Sequence, residues 1–333
     1  MNNITRIPWS SHDLSVHVHS PYGCINHNGN LYANDIHLNK IKNFREDNQG
    51  IKAFDLKNIV NLAESFVYRY LREEILEDIY DIILSGSQPI YVISPVKPSY
   101  PRGNILAYTF AAVLARELDV KIGKGIYQAP RSFKRDKKKD FFERLAHPVN
   151  FFDEAQGEGE GIIPGANYII ADDVLTYGGT LAGLHTHVTQ YGGHVLGCTT
   201  LAGNRSDANH SECRRHNQRF REFERSKKKG WMESCYKDGV LGQPPGVFPL
   251  AITQGSKQEL LSRAYEGLAQ CLQEELGFGV ESLTEREAQR ILKEFHDYEI
   301  QFQRRPESRQ KSSFTRKDAV DIFRERIIRA KGA

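Results

Sequence analysis

Asp172 and Asp173 stand side by side at the end of an apolar run, in the stretch YIIADDVLTYGGTLAGL from Tyr168 to Leu184. A threonine, a tyrosine, two glycines and a second threonine follow (Thr176, Tyr177, Gly178, Gly179 and Thr180), and then a fresh apolar pattern begins. Paired carboxylates accept hydrogen bonds, and vicinal hydroxyls of a sugar are suitable donors. A glycine turn entering a helix exposes backbone N–H groups, and such a loop is an anion cradle. Gly178 and Gly179 permit positive φ and close approach by a ligand, while Thr176 and Thr180 add hydroxyl donors. One short stretch therefore offers acceptors for a diol and donors for a phosphate, as a sugar phosphate with free 2′ and 3′ hydroxyls requires.

Such a stretch works only if a strand delivers the acids to one edge of a sheet. The surrounding pattern predicts this. IYVIS at 90–94, VKIGKGIY at 120–127, NYIIADD at 167–173 and HVLGCTTLAG at 194–203 read as strands. ILAYTFAAVLAREL at 105–118 and TLAGLHTHVTQYGG at 180–193 read as helices between them. Strands alternating with helices imply an α/β fold with a parallel sheet flanked by helices, and in open sheets of that kind ligands sit at the carboxyl ends of the strands.

Outside this alternation, residues 1 to about 55 are irregular and rich in His, Asn and Gly, with LSVHVHS as a short strand candidate. Apolar residues at helical spacing predict one helix over 58–84. A polar excursion covers 128–165, and DGVLGQPPGVFP reads as loop. Helices are expected at about 257–276, 285–302 and 317–330; Thr284 lies three residues before Glu287, a capping-box spacing. The expected organisation is an N-terminal extension with a long helix (1–87), an α/β core (88–203) and a basic, mainly helical C-terminal extension (204–333).

The acidic pair and the D-D-x-x-T-x-G-x-T spacing after an apolar strand resemble the phosphoribosyl pyrophosphate loop of type I phosphoribosyltransferases. The resemblance extends upstream, where Arg102, Gly103 and Asn104 in ISPVKPSYPRGNILA are similar to the R-G-N element of the competence-protein-F-like branch. It covers about residues 88–203. It implies the type I phosphoribosyltransferase fold and a glycosyltransferase activity: pyrophosphate leaves C1 of the ribose and an acceptor, expected to be a nitrogen, takes its place. It further implies that Asp172 and Asp173 are catalytic and bind the ribose hydroxyls, directly or through Mg2+. Thr176, Tyr177, Gly178, Gly179 and Thr180 would hold the 5′-phosphate, and Lys97, Arg102 and Gly103 would face the pyrophosphate. Family members close a flexible loop over the substrate, and here the corresponding interval crowds Arg131, Lys134, Arg135 and three further lysines into nine residues, with Arg144 beyond. Position 177 departs from the small residue that relatives often carry. Neither extension matches the family, so the acceptor is open.

Other clusters admit other readings. His12, His17, His19, Cys24 and His27, and separately His210, Cys213 and His216, are metal-ligand types without a standard spacing. A structural or surface role is the default for both. Residues 214–229 hold eight Arg and Lys with Phe220 and Phe223 between them. Such a run suits nucleic-acid phosphates, or a solvated helix face, since Glu222 and Glu224 interleave. Two non-catalytic readings therefore stand beside the transferase. One is a sensor of phosphoribosyl pyrophosphate that acts on nucleic acid or a protein partner. The other is an effector of a bacterial defence module, since phosphoribosyltransferase-like proteins occur beside reverse transcriptases in some retrons.

Composition bounds these readings. Of 333 residues, 39% are hydrophobic and 26% charged, the pattern of a soluble chain with a core. No apolar run reaches membrane-span length, and the start lacks a signal-peptide pattern. Five scattered cysteines without CxxC predict reduced thiols and a cytoplasmic location. Self-association or a complex with a partner is expected.

Overall fold

The computed structural model describes residues 6–9, 14–21, 53–86, 89–96, 105–129, 141–153, 161–203, 246–262, 265–303 and 316–332. The strands are β1 (Ser15–Pro21), β2 (Ile90–Ile93), β3 (Lys121–Ile122), β4 (Ile126–Gln128), β5 (Phe151–Asp153), β6 (Asn167–Leu175), β7 (His194–Gly203) and β8 (Gly246–Pro249). The helices are α1 (Ala53–Tyr70), α2 (Glu73–Ser85), α3 (Ile105–Glu117), α4 (Phe141–Ala146), α5 (Gly179–Gln190), α6 (Gln254–Leu260), α7 (Leu268–Leu276), α8 (Glu285–Gln303) and α9 (Arg316–Lys331).

The main sheet runs β3-β2-β6-β7-β1-β8. Every neighbouring pair in it is parallel except β1 with β8, which is antiparallel. The architecture is mixed α/β with a mostly parallel sheet, and β4 and β5 form a separate antiparallel pair. β6 lies at the centre, and Asn167 to Asp172 are buried on both faces. A strand covered twice has no use for alternation, and this explains the continuous apolar run of YIIA. One core lies on each side of the sheet. On one face α1, α2 and α3 pack over Ile169, Ala171 and Leu201. On the other, α4, α5 and the C-terminal helices pack over Tyr168, Ile170 and Cys198. α5 is buried almost all round, from Leu181 to Val188 with His185, Thr186 and His187 included, so its apolar residues are not confined to one face.

Several elements differ from the expectations. The helix expected over 58–84 is two helices, parted at Leu71 and Arg72. Arg72 takes an extended conformation, and its N–H donates to Nδ1 of His19 on β1 at 3.0 Å, a long-range bond that the apolar spacing does not signal. Glu73 and Glu74 then open α2, where negative charge suits a helix start. The stretch read as loop near 246 forms β8 because β1 offers it an edge. The polar excursion contains α4, whose Phe141, Phe142 and Leu145 are buried. The helix expected at 257–276 is α6 and α7, which share a break near Gly267 at φ 88°. No helix among the described residues is long and apolar enough to cross a membrane.

Candidate functional site at the carboxyl end of the central strand

Side chains alternate along a strand, and Ile170 faces the α5 side of the sheet while Ala171 faces the α3 side. That alternation does not run on to the strand end, because Leu175 packs on the α5 side as Ile170 does, and the two acids lie side by side within this last part of β6. Asp172 is buried and Asp173 half-buried. One carboxylate oxygen of Asp172 accepts the Asp173 N–H at 2.8 Å. Thr200 on β7 is in register with Asp172 and fully buried, and its hydroxyl has no hydrogen-bond partner among the described residues.

Past Leu175 the chain turns at Thr176, Tyr177 and Gly178 and enters α5. Gly178 caps the helix at φ 80° and ψ 0°, the left-handed region, and no side chain caps α5 there. That leaves the first-turn N–H groups of α5 without intrahelical partners. Two neighbouring atoms also exclude a side chain at 178: an added Cβ would lie 2.9 Å from Leu250 and 3.1 Å from Thr284. At Gly179 it would lie 2.8 Å from the Arg6 guanidinium.

The turn is thus packed on one side by residues from both ends of the chain. Arg286, the second residue of α8, donates from Nη1 to the carbonyls of Leu175 at 3.2 Å and Thr176 at 3.0 Å. The Thr284 hydroxyl donates to the Tyr177 carbonyl at 2.5 Å and accepts the Glu287 N–H at 3.1 Å. The Glu287 carboxylate accepts the Thr284 N–H at 3.0 Å. This is the capping box read from the sequence, and its threonine also grips the glycine turn. Glu287 further pairs with Arg6 at 2.6 and 3.0 Å, both side chains buried. The Tyr177 ring leans on Phe141 of α4, with centroids 5.1 Å apart.

The structure thus brings Asp172, Asp173, Thr176, Tyr177, Gly178, Gly179 and Thr180 together at one strand-to-helix junction. Arg144 is exposed on α4. Lys97, Arg102, Gly103, Arg131, Lys134 and Arg135 lie outside the described residues, as do the basic run 214–229 and His12, Cys24, His27, His210, Cys213 and His216. Of the N-terminal histidines, His17 and His19 share the α2 side of β1. His19 is buried against Phe110 and bonds Arg72, while His17 faces Asp78 at 3.9 Å. Burial, with His17 and the Arg72 charge alongside, pushes the His19 imidazole down to about 3. Among the described residues no three His, Cys, Asp or Glu gather as a metal-ligand cluster.

Arg6, Thr284, Arg286 and Glu287 were not recognisable as neighbours of this junction. The capping box signalled a helix start but not what the start would dock against.

No family model matches the chain. Protein TraN of Escherichia coli is 28% identical over 153 residues, which is 46% of this chain and 31% of TraN; the chain spans about a third of that relative. Among solved structures, adenine phosphoribosyltransferase from Leishmania donovani aligns with 16% identity over 40% of this chain and 54% of its own, at a TM-score of 0.25. The enzyme of the same name from Leishmania tarentolae aligns with 17% identity over 39% of this chain and 57% of its own, at a TM-score of 0.24.

Proposed function

We propose that the chain binds phosphoribosyl pyrophosphate at the carboxyl end of β6 and transfers its phosphoribosyl group to an acceptor nitrogen, releasing pyrophosphate. The observation that carries this reading is the junction itself: two adjacent acids at the end of a central strand, followed within a few residues by an uncapped helix start reached through a left-handed glycine. The motif spacing supports assignment to type I phosphoribosyltransferases, and the R-G-N at 102–104 to their competence-protein-F-like branch.

In this reading Asp172 and Asp173 accept hydrogen bonds from the 2′ and 3′ hydroxyls and fix the ring. The backbone N–H groups and hydroxyls from Thr176 to Thr180 hold the 5′-phosphate. Lys97, Arg102 and Gly103 face the diphosphate, and the segment carrying Arg131, Lys134, Arg135 and Arg144 closes over it. With both ends of the substrate fixed, the bond from C1 to the diphosphate oxygen can break while positive charge grows on the ring. Such a site works by positioning and electrostatics. The available donors beside the ribose position, two carboxylates and the buried Thr200 hydroxyl, are all oxygens and fit Mg2+. Asp172 and Asp173 would hold it, and when bound it would neutralise charge on the leaving pyrophosphate. Residues 88–203 form the sugar-phosphate unit, and the flanking stretches recognise the acceptor.

The test is pyrophosphate release when the full chain is mixed with phosphoribosyl pyrophosphate, Mg2+ and a panel of nucleobases and amines. Release that disappears in Asp172→Asn/Asp173→Asn, with the fold intact by circular dichroism, supports the reading. Equal release in the double variant refutes it.

A further inference from the structure

A trans peptide points its C=O and the following N–H in opposite directions. Arg286 and Thr284 between them collect the carbonyls of Leu175, Thr176 and Tyr177 on the α8 side of the turn. The N–H groups of Thr176, Tyr177 and Gly178 must then point away from α8. Successive N–H groups turned to one side make a concavity for an anion. The carbonyls gathered on the other side would repel that anion if they swung round, so their capture matters as much as the amides themselves.

We infer that Arg286 and Thr284 are positioning residues for the phosphate cradle, supplied by the C-terminal segment rather than by the strand and helix that form it. This rests on reading the turn as the 5′-phosphate site. Three features argue that the contact is built rather than incidental. Arg286 is buried, with its guanidinium spanning two strand ends: Nη1 bonds the end of β6, and Nη2 lies 3.7 Å from where a Cβ at Gly203, the last residue of β7, would stand. Thr284 is buried and uses its hydroxyl twice, outward to the turn and inward to its own helix. The Arg6–Glu287 pair then fixes the first turn of α8 against the first turn of α5. Neither positioning residue needs to touch the ligand. Both bonds leave the same Nη1, whose two N–H directions are fixed in the guanidinium plane, whereas a lysine ammonium is a freely rotating point charge.

The consequence is selective. Loosening the turn should weaken ligands held by a 5′-phosphate and leave bare pyrophosphate, which has no 5′-phosphate to seat there, untouched. The experiment measures dissociation constants of the full chain for phosphoribosyl pyrophosphate, ribose 5-phosphate and inorganic pyrophosphate. It compares the parent with Arg286→Lys, Thr284→Val and Thr284→Ser. We expect Arg286→Lys and Thr284→Val to weaken the first two ligands about tenfold, the loss of roughly one charge-assisted or buried hydrogen bond. Pyrophosphate binding should be unchanged, and Thr284→Ser should restore parental values. Ribose 5-phosphate affinity equal to the parent's in both folded variants, or equal weakening of all three ligands, overturns the inference while the reading of the site stands. A parent that binds neither ribose 5-phosphate nor phosphoribosyl pyrophosphate overturns both.

Discussion

Arg6 and Glu287 are 281 positions apart in sequence, yet they form a two-pronged ion pair at 2.6 and 3.0 Å with side chains only 3% and 4% exposed. Breaking a pair this deeply buried by removing one partner leaves a desolvated charge and costs about 3–5 kcal/mol. Glu287→Gln is the cleaner perturbation, because the amide oxygen can still accept the Thr284 N–H and the cap survives. Its cost therefore reports the uncompensated guanidinium, softened by the Phe278 ring 5.2 Å away. Arg6→Met strands the carboxylate instead, beside the first turn of α5, where the helix dipole favours negative charge by about 0.3–1 kcal/mol. Removing both charges together eliminates the stranded partner, so the double variant should be more stable than the sum of the single losses implies by about 2 kcal/mol or more. Equilibrium denaturation of the four proteins, followed by circular dichroism, completes the cycle. Single losses that add to the double loss within about 0.5 kcal/mol would show that the pair is not coupled and refute the reasoning.

Gly183 lies inside α5, and an added Cβ would run into the carbonyl oxygen of Val149 in the segment leading to β5. Gly183→Ala should therefore destabilise by about 1–3 kcal/mol despite alanine's higher helix propensity; an unchanged melting temperature would contradict it. Burial lowers His185 to about 4 and His19 to about 3 from 6.5. As pH falls below 6.5 the unfolded chain takes up these protons first, so stability present above 6.5 drains away down through about 4 and then 3. The slope is about 1.4 kcal/mol per pH unit for each histidine. His185→Phe keeps a ring against Trp9, whose centroid is 4.6 Å from that of His185, and should remove one such share between pH 6 and pH 4. A slope equal to the parent's in urea titrations would refute that assignment.

The strand–turn–helix at 167–190 was legible because its physics is local. A doubly buried strand needs an unbroken apolar run, and a left-handed turn needs glycine at 178. What was hidden depends on partners distant in sequence. Nothing near Arg72 marks a helix break, since the cause is His19. β8 is four residues in a glycine- and proline-rich stretch and exists because β1 pairs with it. Arg286 reads as an ordinary residue of an amphipathic helix, and only the fold brings it 110 positions back along the chain to the Thr176 carbonyl. The strand, the glycine turn and the helix start could be placed from sequence, whereas the side chains that hold the turn against α8 could not.

The most direct measurement is isothermal titration of the full chain with phosphoribosyl pyrophosphate, with and without Mg2+. The account predicts saturable one-site binding that strengthens with Mg2+ and is lost in Asp172→Asn/Asp173→Asn while circular dichroism and melting stay near parental. Absence of binding to the parent, or equal affinity in the double variant, would contradict it.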